Sequence, residues 1–299
     1  MDKSLPIGQG HGVPGRYAGL PDQYCNLFSS DIVILPVPFD QTSTYQKGSN
    51  QGPAALIEAS RNMELYDIET NSEVYTKGIF TAGPVEEKTS ESMLESTYQK
   101  VKELLHLNKF VIVIGGEHSI SYAPIRAHAE YAGPITVLQL DAHADLQSLY
   151  ENNPWSHACV MARVREIPQV TKIVSAGIRS MSADELINLD RTNTFFAHEL
   201  DENWLWMDQL LEKLKGPVYV TIDLDVFDSS IMPSTGTPEP GGLNWDQMMA
   251  LFRKIVKSTN IIGFDVVELC PRACNPAPDY LAAKLIYKLL SYKFFTDKL

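Results

Sequence analysis

Short β-branched apolar runs alternate along this chain with longer segments in which apolar residues recur every three or four positions. The runs Asp31–Val37, Lys109–Ile114, Ile135–Leu140, Lys172–Ile178, Thr194–Ala197, Val218–Leu224 and Ile261–Val267 predict strands, several of them buried on both faces. Between them the spacing predicts helices over Pro53–Tyr66, Ser90–Leu107, Ser119–Tyr131, Ser182–Leu189, Asp201–Lys215, Asn244–Lys257 and Asp279–Tyr292. Pro53 suits a first helical position, and Ser182 and Asn244 suit N-caps. Residues 1–30 carry glycines and prolines without a period and read as an irregular arm. Alternating strands and helices predict an α/β fold, a parallel sheet with helices on both faces. No repeat, low-complexity tract or linker divides residues 1–299, so a single domain is expected.

In such a sheet ligands bind beyond the carboxyl ends of the strands. The polar clusters of this chain fall there: Gly115–His118, Asp141–Asp145, Asp223–Asp225 and Glu268 each follow a strand-like run. Four strands are thus expected to deliver their polar ends to one edge. Asp141-Ala142-His143-Ala144-Asp145 places three metal-type ligands at alternate positions. On a straight strand its outer residues would stand roughly 13 Å apart. The chain is therefore expected to curl off the sheet and to serve two ions roughly 3.5–4 Å apart.

The glycines of Gly115-Gly116-Glu117-His118 allow a sharp exit from the sheet, turning His118 toward the crevice as a ligand, with Glu117 holding the loop or a ligand histidine. Asp223-Leu224-Asp225 sets two carboxylates on one side of a strand end, where they would repel unless cations neutralise them. His118 and His143 as neutral imidazoles, with Asp141, Asp145, Asp223 and Asp225, balance two divalent ions. An oxygen-rich set without thiolate suits manganese better than structural zinc, and it suits the activation of water. Glu268 lies outside this balance and would attract a cationic group, a planar guanidinium being matched bidentately. Asp265, at odd spacing from Glu268, is expected to point away into the structure. His157, taken alone, reads as an exposed loop histidine; beside the crevice it would move protons. Ser234–Leu243 reads as a stiffened loop beside the site, without the ending of a phosphate loop.

A hydrophobic content of 44% supports a sizeable core, and a net charge of −12 argues against nucleic acid and suits a cationic substrate. Cys25, Cys159, Cys270 and Cys274 form no Cys-x-x-Cys pair and are expected as free thiols, with Cys159 unsupported as a nucleophile. No apolar leader or membrane span is expected, which points to the cytoplasm.

GGEHS, DAHAD, SHA, DLDVFD, STGTPEPGGL and DVVE, in this order, resemble the ureohydrolases, the family of arginase and agmatinase, over nearly the whole chain. The similarity extends to YQKGSNQGPAALIEAS and LAAKLIYKLL and is greatest to the agmatinase branch. It implies a three-layer α/β/α fold, two Mn2+ per chain, and a homo-oligomer of three or six chains. It implies metal ligation by His118, Asp141, His143, Asp145, Asp223 and Asp225, proton shuttling at His157, and guanidinium binding at Glu268. The expected reaction is hydrolysis of agmatine to urea and putrescine, with Asp145 passing a proton to the leaving amine. Guanidinobutyrate or arginine as substrate, a metal-binding protein without activity, and a single-zinc amide hydrolase remain as alternatives. The chain departs from the family at Gln147, Ala158 and Ala162, all expected in loops at the mouth.

Overall fold

A computed structural model describes residues 13–200 and 203–299. Its centre is one eight-stranded sheet of order β2-β1-β3-β8-β7-β4-β5-β6. The strands are β1 (Ile32–Val37), β2 (Ile79–Thr81), β3 (Phe110–Gly115), β4 (Ile135–Leu140), β5 (Val170–Ile178), β6 (Thr194–Phe196), β7 (Pro217–Asp223) and β8 (Asn260–Val267). Every pairing is parallel. The helices are α1 (Gly52–Ser60), α2 (Ser90–His106), α3 (Tyr122–Ala132), α4 (Val160–Val164), α5 (Leu205–Lys213), α6 (Trp245–Ser258) and α7 (Ala277–Phe294).

Burial on both faces explains the continuous apolar runs. Ile32 and Ile34 of β1 pack in the core with α1, α6 and α7, while Val33, Leu35 and Val37 pack against α2 and α3. Residues 13–30 hold only the short 3-10 turns Tyr17–Gly19 and Asp22–Tyr24, yet part of this stretch is core: Tyr17 is buried and its hydroxyl donates to the Ala283 carbonyl (2.7 Å). Residues 1–12 of the expected arm, and Asp201 and Glu202 of the expected helix, lie outside the described residues.

Several elements differ from the periodicity. The helix begun at Pro53 ends at Ser60, short of Tyr66. Met63 and Leu65 stay buried, so the apolar period persists, but the backbone turns away into a tight bend. There Asp67 accepts from Thr70 (N–H 2.8 Å, hydroxyl 2.9 Å). The Ser182 segment forms only the 3-10 turn Ala183–Ile187, closed by a Ser182/Glu185 capping box. The edge strand β2 and the five-residue α4 carry too few residues for a period to register.

At the amino end of the sheet, His128 of α3 is buried against Gly263 of β8, where a β-carbon would lie 2.4 Å from Nε2. Its Nδ1 donates to the Pro124 carbonyl (2.7 Å), and Nε2 has no partner. Burial lowers its pKa from 6.5 to about 4. The folded state therefore prefers the neutral ring, and this contribution is complete above pH 6.5 and lost as pH falls toward 4. Between pH 7.5 and 5 the loss amounts to about 2 kcal/mol. In urea unfolding at the two pH values, His128→Asn is expected to show that much less acid destabilisation than wild type. Equal slopes would rule the effect out.

Candidate metal centre

The four polar strand ends belong to β3, β8, β7 and β4, which are the four central neighbours of the sheet. Their carboxyl termini therefore meet at one edge. Gly116 makes the turn after β3 possible, since a β-carbon there would lie 2.0 Å from the Phe39 carbonyl oxygen. The chain then enters the 3-10 turn His118–Ser121. Beside it β8 ends, and Glu268 takes a left-handed backbone (φ 66). The Glu268 N–H donates to the Gly116 carbonyl (2.7 Å), and the His118 N–H donates to Glu268 Oε1 (2.7 Å). The two strand ends thus brace each other across the crevice.

Asp141 continues the sheet beyond β4, donating its N–H to the Ala176 carbonyl (3.1 Å). The backbone then curls, and Asp145 takes a left-handed conformation (φ 54), which aspartate tolerates better than most residues. The curl brings Asp141 and Asp145 to one histidine instead of opposite ends of an extended segment. Asp223 and Asp225 also reach the site, though not by strand alternation. β7 ends at Asp223, the 3-10 turn Leu224–Val226 follows, and Asp223 Oδ1 caps the Asp225 N–H (2.9 Å). The turn sends the two carboxylates to different histidines.

Two groups result. His118 Nδ1 lies 2.9 Å from Asp145 Oδ2, 3.1 Å from Asp141 Oδ2 and 3.4 Å from Asp223 Oδ2. His143 Nδ1 lies 2.9 Å from Asp225 Oδ2 and 3.8 Å from Asp141 Oδ1. Ligand-capable atoms of His118, Asp141 and Asp145, and of Asp141, His143 and Asp225, fall within 4.8 Å of one another, so Asp141 belongs to both groups.

The chemistry of the donors fits cations. His118 Nε2 lies 2.9 Å from Thr221 Oγ1, whose hydroxyl donates to Asp265 Oδ1 (2.7 Å). With that proton committed, the imidazole must donate Nε2–H to Thr221, which leaves the Nδ1 lone pair of the neutral ring facing three carboxylates. Nδ1 has no hydrogen-bond partner although it is buried. A lone pair aimed at three anionic oxygens is stable only with a positive charge between them.

The titration pattern carries the same demand. Burial opposes a charge on His118, yet Asp141, Asp145 and Asp223 raise its pKa well above 6.5. Burial likewise opposes a charge on His143, but Asp225 carries it up to about 11. Burial and the Asp141 charge push Asp145 up to about 7. Burial and Asp225 raise Asp223 well above the carboxylate range, whereas His143 brings Asp225 down to about 2 against its burial. Protons here occupy the role that metal cations would take.

Glu268 lines a cavity of about 20 Å3 together with the donor groups and Ser43, Thr44, His157, Gly236 and Thr237. Burial and the Glu117 charge raise its pKa. Glu117 accepts from the Thr42 hydroxyl (2.6 Å), the Ser119 hydroxyl (2.6 Å) and the Ser43 N–H (3.1 Å), so it holds the loop, not a ligand histidine. His157 is half-buried beside the site, not exposed. Its N–H donates to Thr42 Oγ1 (2.9 Å), and its Nδ1 lies 3.2 Å from the Ser156 hydroxyl. Burial and the charges of His143 and His118 lower it to about 4. Gln147 is tied to Ser182 (2.7 Å), and Ala162 is buried in α4 with its N–H on the Asp145 carbonyl (3.2 Å), so Ala162 does not line the mouth as expected. A larger hollow of about 900 Å3 lies beside α1, lined by residues such as Pro53 and Glu58, and contains none of the site histidines.

Four supporting residues were missed by sequence reasoning. Gln139 donates to Asp141 Oδ2 (2.9 Å) and the His143 carbonyl (3.1 Å). Thr221 orients His118, as above. Glu185 accepts from Leu146 N–H (2.8 Å), holding the segment after Asp145. Arg179 donates to the carbonyls of Asp225 (2.6 Å), Glu239 (2.9 Å) and Pro240 (3.0 Å), binding the turn after β7 to the Ser234–Leu243 loop. Gln139 and Thr221 were signalled by polarity inside otherwise apolar strands.

Residues 30–291 match the arginase family. The N(1)-aminopropylagmatine ureohydrolase of Synechocystis sp. is 32% identical over 93% of this chain and 96% of its own. The agmatinase of Pyrococcus horikoshii is 32% identical over 87% of this chain and 91% of its own. The agmatine ureohydrolase structure of Thermoplasma volcanium superposes with a TM-score of 0.83 at 29% identity, covering 91% of this chain and 93% of that one. The chain belongs to the arginase family of hydrolases and has its α/β/α fold.

Proposed function

We propose that the protein hydrolyses a guanidino compound to urea and an amine, with agmatine to putrescine as the preferred reaction and two Mn2+ per chain as cofactor. One observation carries this reading: two histidine–aspartate groups share Asp141, and a buried carboxylate, Glu268, lines the same cavity. His118, Asp141, Asp145 and Asp223 would hold one ion, and His143, Asp141 and Asp225 the other. When bound, the ions supply a water acidic enough to attack at neutral pH.

The remaining work falls to the chain. A guanidinium carbon is a poor electrophile because resonance spreads its charge. Glu268 pairs with the planar cation and fixes it for attack, so the reaction becomes effectively intramolecular. Asp145 takes the proton released by the attacking water and delivers it to the leaving nitrogen as the C–N bond breaks. Water and guanidinium thus become urea and a protonated amine. His157, whose Nδ1 lies 3.2 Å from both the Ser156 and the Thr42 hydroxyls, exchanges protons with solvent.

A second reading, N(1)-aminopropylagmatine as substrate, is supported by the Synechocystis relative's name and by the partial exposure of the His143 side chain (25%), which leaves that side of the site open. Urea release in the presence of Mn2+ is expected from agmatine, aminopropylagmatine or both, ahead of guanidinobutyrate and arginine. Absence of urea from every one of them contradicts the proposal.

A further inference from the structure

Glu117 and Asp265 are taken up by hydrogen bonds within the protein, which leaves one carboxylate beside the site unassigned. Two divalent cations balance Asp141, Asp145, Asp223 and Asp225, and Glu268 is matched to a guanidinium. Glu239 remains. Its Oε1 lies 3.9 Å from His143 Nε2, on the side of the ring away from Asp225. Among the described residues no lysine or arginine pairs with it, and His143, once it ligates a metal as a neutral imidazole, offers it no charge.

Glu239 is also held in place. Pro238 and Pro240 flank it and fix their own φ angles. Arg179 donates to the carbonyls of Glu239 (2.9 Å) and Pro240 (3.0 Å), and Asp228 Oδ2 accepts from the N–H groups of Gly241 (2.7 Å) and Gly242 (3.2 Å). An anion without a cation, fixed on a braced loop, is arranged for a partner from outside the chain. The side chains of His143 and Glu239 are 25% and 36% exposed whereas Glu268 is buried, so Glu239 lies on the solvent side of His143.

Building on the guanidino-hydrolase reading, we propose that Glu239 is the specificity residue that receives a cationic nitrogen on the substrate's tail. The substrate class is then a guanidino compound whose far end carries an ammonium. Agmatine and its aminopropyl derivative both have a cationic nitrogen four methylenes from the guanidino group. Guanidinobutyrate ends instead in a carboxylate, and arginine carries one beside its ammonium; both meet repulsion at Glu239.

The test compares wild type with Glu239→Gln on agmatine, butylguanidine and guanidinobutyrate, as KM or, where a compound is not turned over, as an inhibition constant. Calorimetric binding of butane-1,4-diamine and butylamine to the Mn2+-loaded proteins, and metal content, are measured alongside. The variant is expected to bind agmatine and the diamine roughly tenfold to thirtyfold more weakly, the scale of one charge-assisted contact. Butylguanidine and butylamine should change less than twofold, guanidinobutyrate should bind more tightly, and metal content should hold. Unchanged agmatine and diamine binding would overturn the proposal. So would an equal loss for butylguanidine or a loss of metal, which would make Glu239 a support for His143. If wild type releases no urea from any guanidino compound, the hydrolytic function fails, and the diamine comparison still decides the role of Glu239.

Discussion

Glu268→Gln is expected to lower kcat/KM on the preferred guanidino substrate by roughly a thousandfold, with metal content unchanged. The glutamine oxygen still accepts from the His118 N–H, the contact that braces β3 against β8, so the fold and the donor groups should survive. What is lost is the buried charge. Removing one partner of a desolvated charge pair costs about 2–5 kcal/mol, and about 4 kcal/mol corresponds to that loss of rate. Because the guanidinium is cationic before attack, the effect should appear in both KM and kcat. Steady-state urea release with elemental analysis checks it. A variant within fivefold of wild type would remove Glu268 from substrate binding.

The second large effect is expected at Asp141, which belongs to both donor groups. Asp141 Oδ1 accepts from the His143 N–H (2.7 Å), and Oδ2 lies beside His118 Nδ1 and accepts from Gln139. Asp141→Asn removes a charge that both candidate ions would share. Activity should fall by at least about a thousandfold, since neither donor group stays complete. In the metal-free protein the amide nitrogen that replaces one carboxylate oxygen meets a donor, the Gln139 side-chain N–H or the His143 N–H, so stability should fall by about 1–3 kcal/mol. Thermal unfolding with and without Mn2+ separates the two. Wild type gains stability with free ion as binding to the native state dictates, and the variant should gain little. An undiminished Mn2+ shift in the variant would place the ions elsewhere.

The strand pattern in the sequence was sufficient to bring the candidate ligands to one sheet edge because burial on both faces leaves a polar residue at a strand end conspicuous. Ile135–Leu140 came out with the boundaries the structure has, and the four strand ends expected to converge are adjacent in the sheet. What periodicity could not supply is how the chain behaves after a strand. Asp223 and Asp225 are distributed by a 3-10 turn, and Asp145 by a left-handed residue, neither of which has a repeat to detect. Arg179 was illegible for a related reason. Its hydrogen bonds go to main-chain carbonyls far along the chain, and any residue type can offer a carbonyl. Glu239 was read only as part of a stiff loop, because its proximity to His143 is a product of tertiary structure.

Anomalous diffraction from crystals grown with Mn2+ tests the central claim most directly. Two manganese peaks are expected in each chain, one among His118, Asp141, Asp145 and Asp223 and the other among His143, Asp141 and Asp225. A single peak, or peaks outside these side chains, would contradict it.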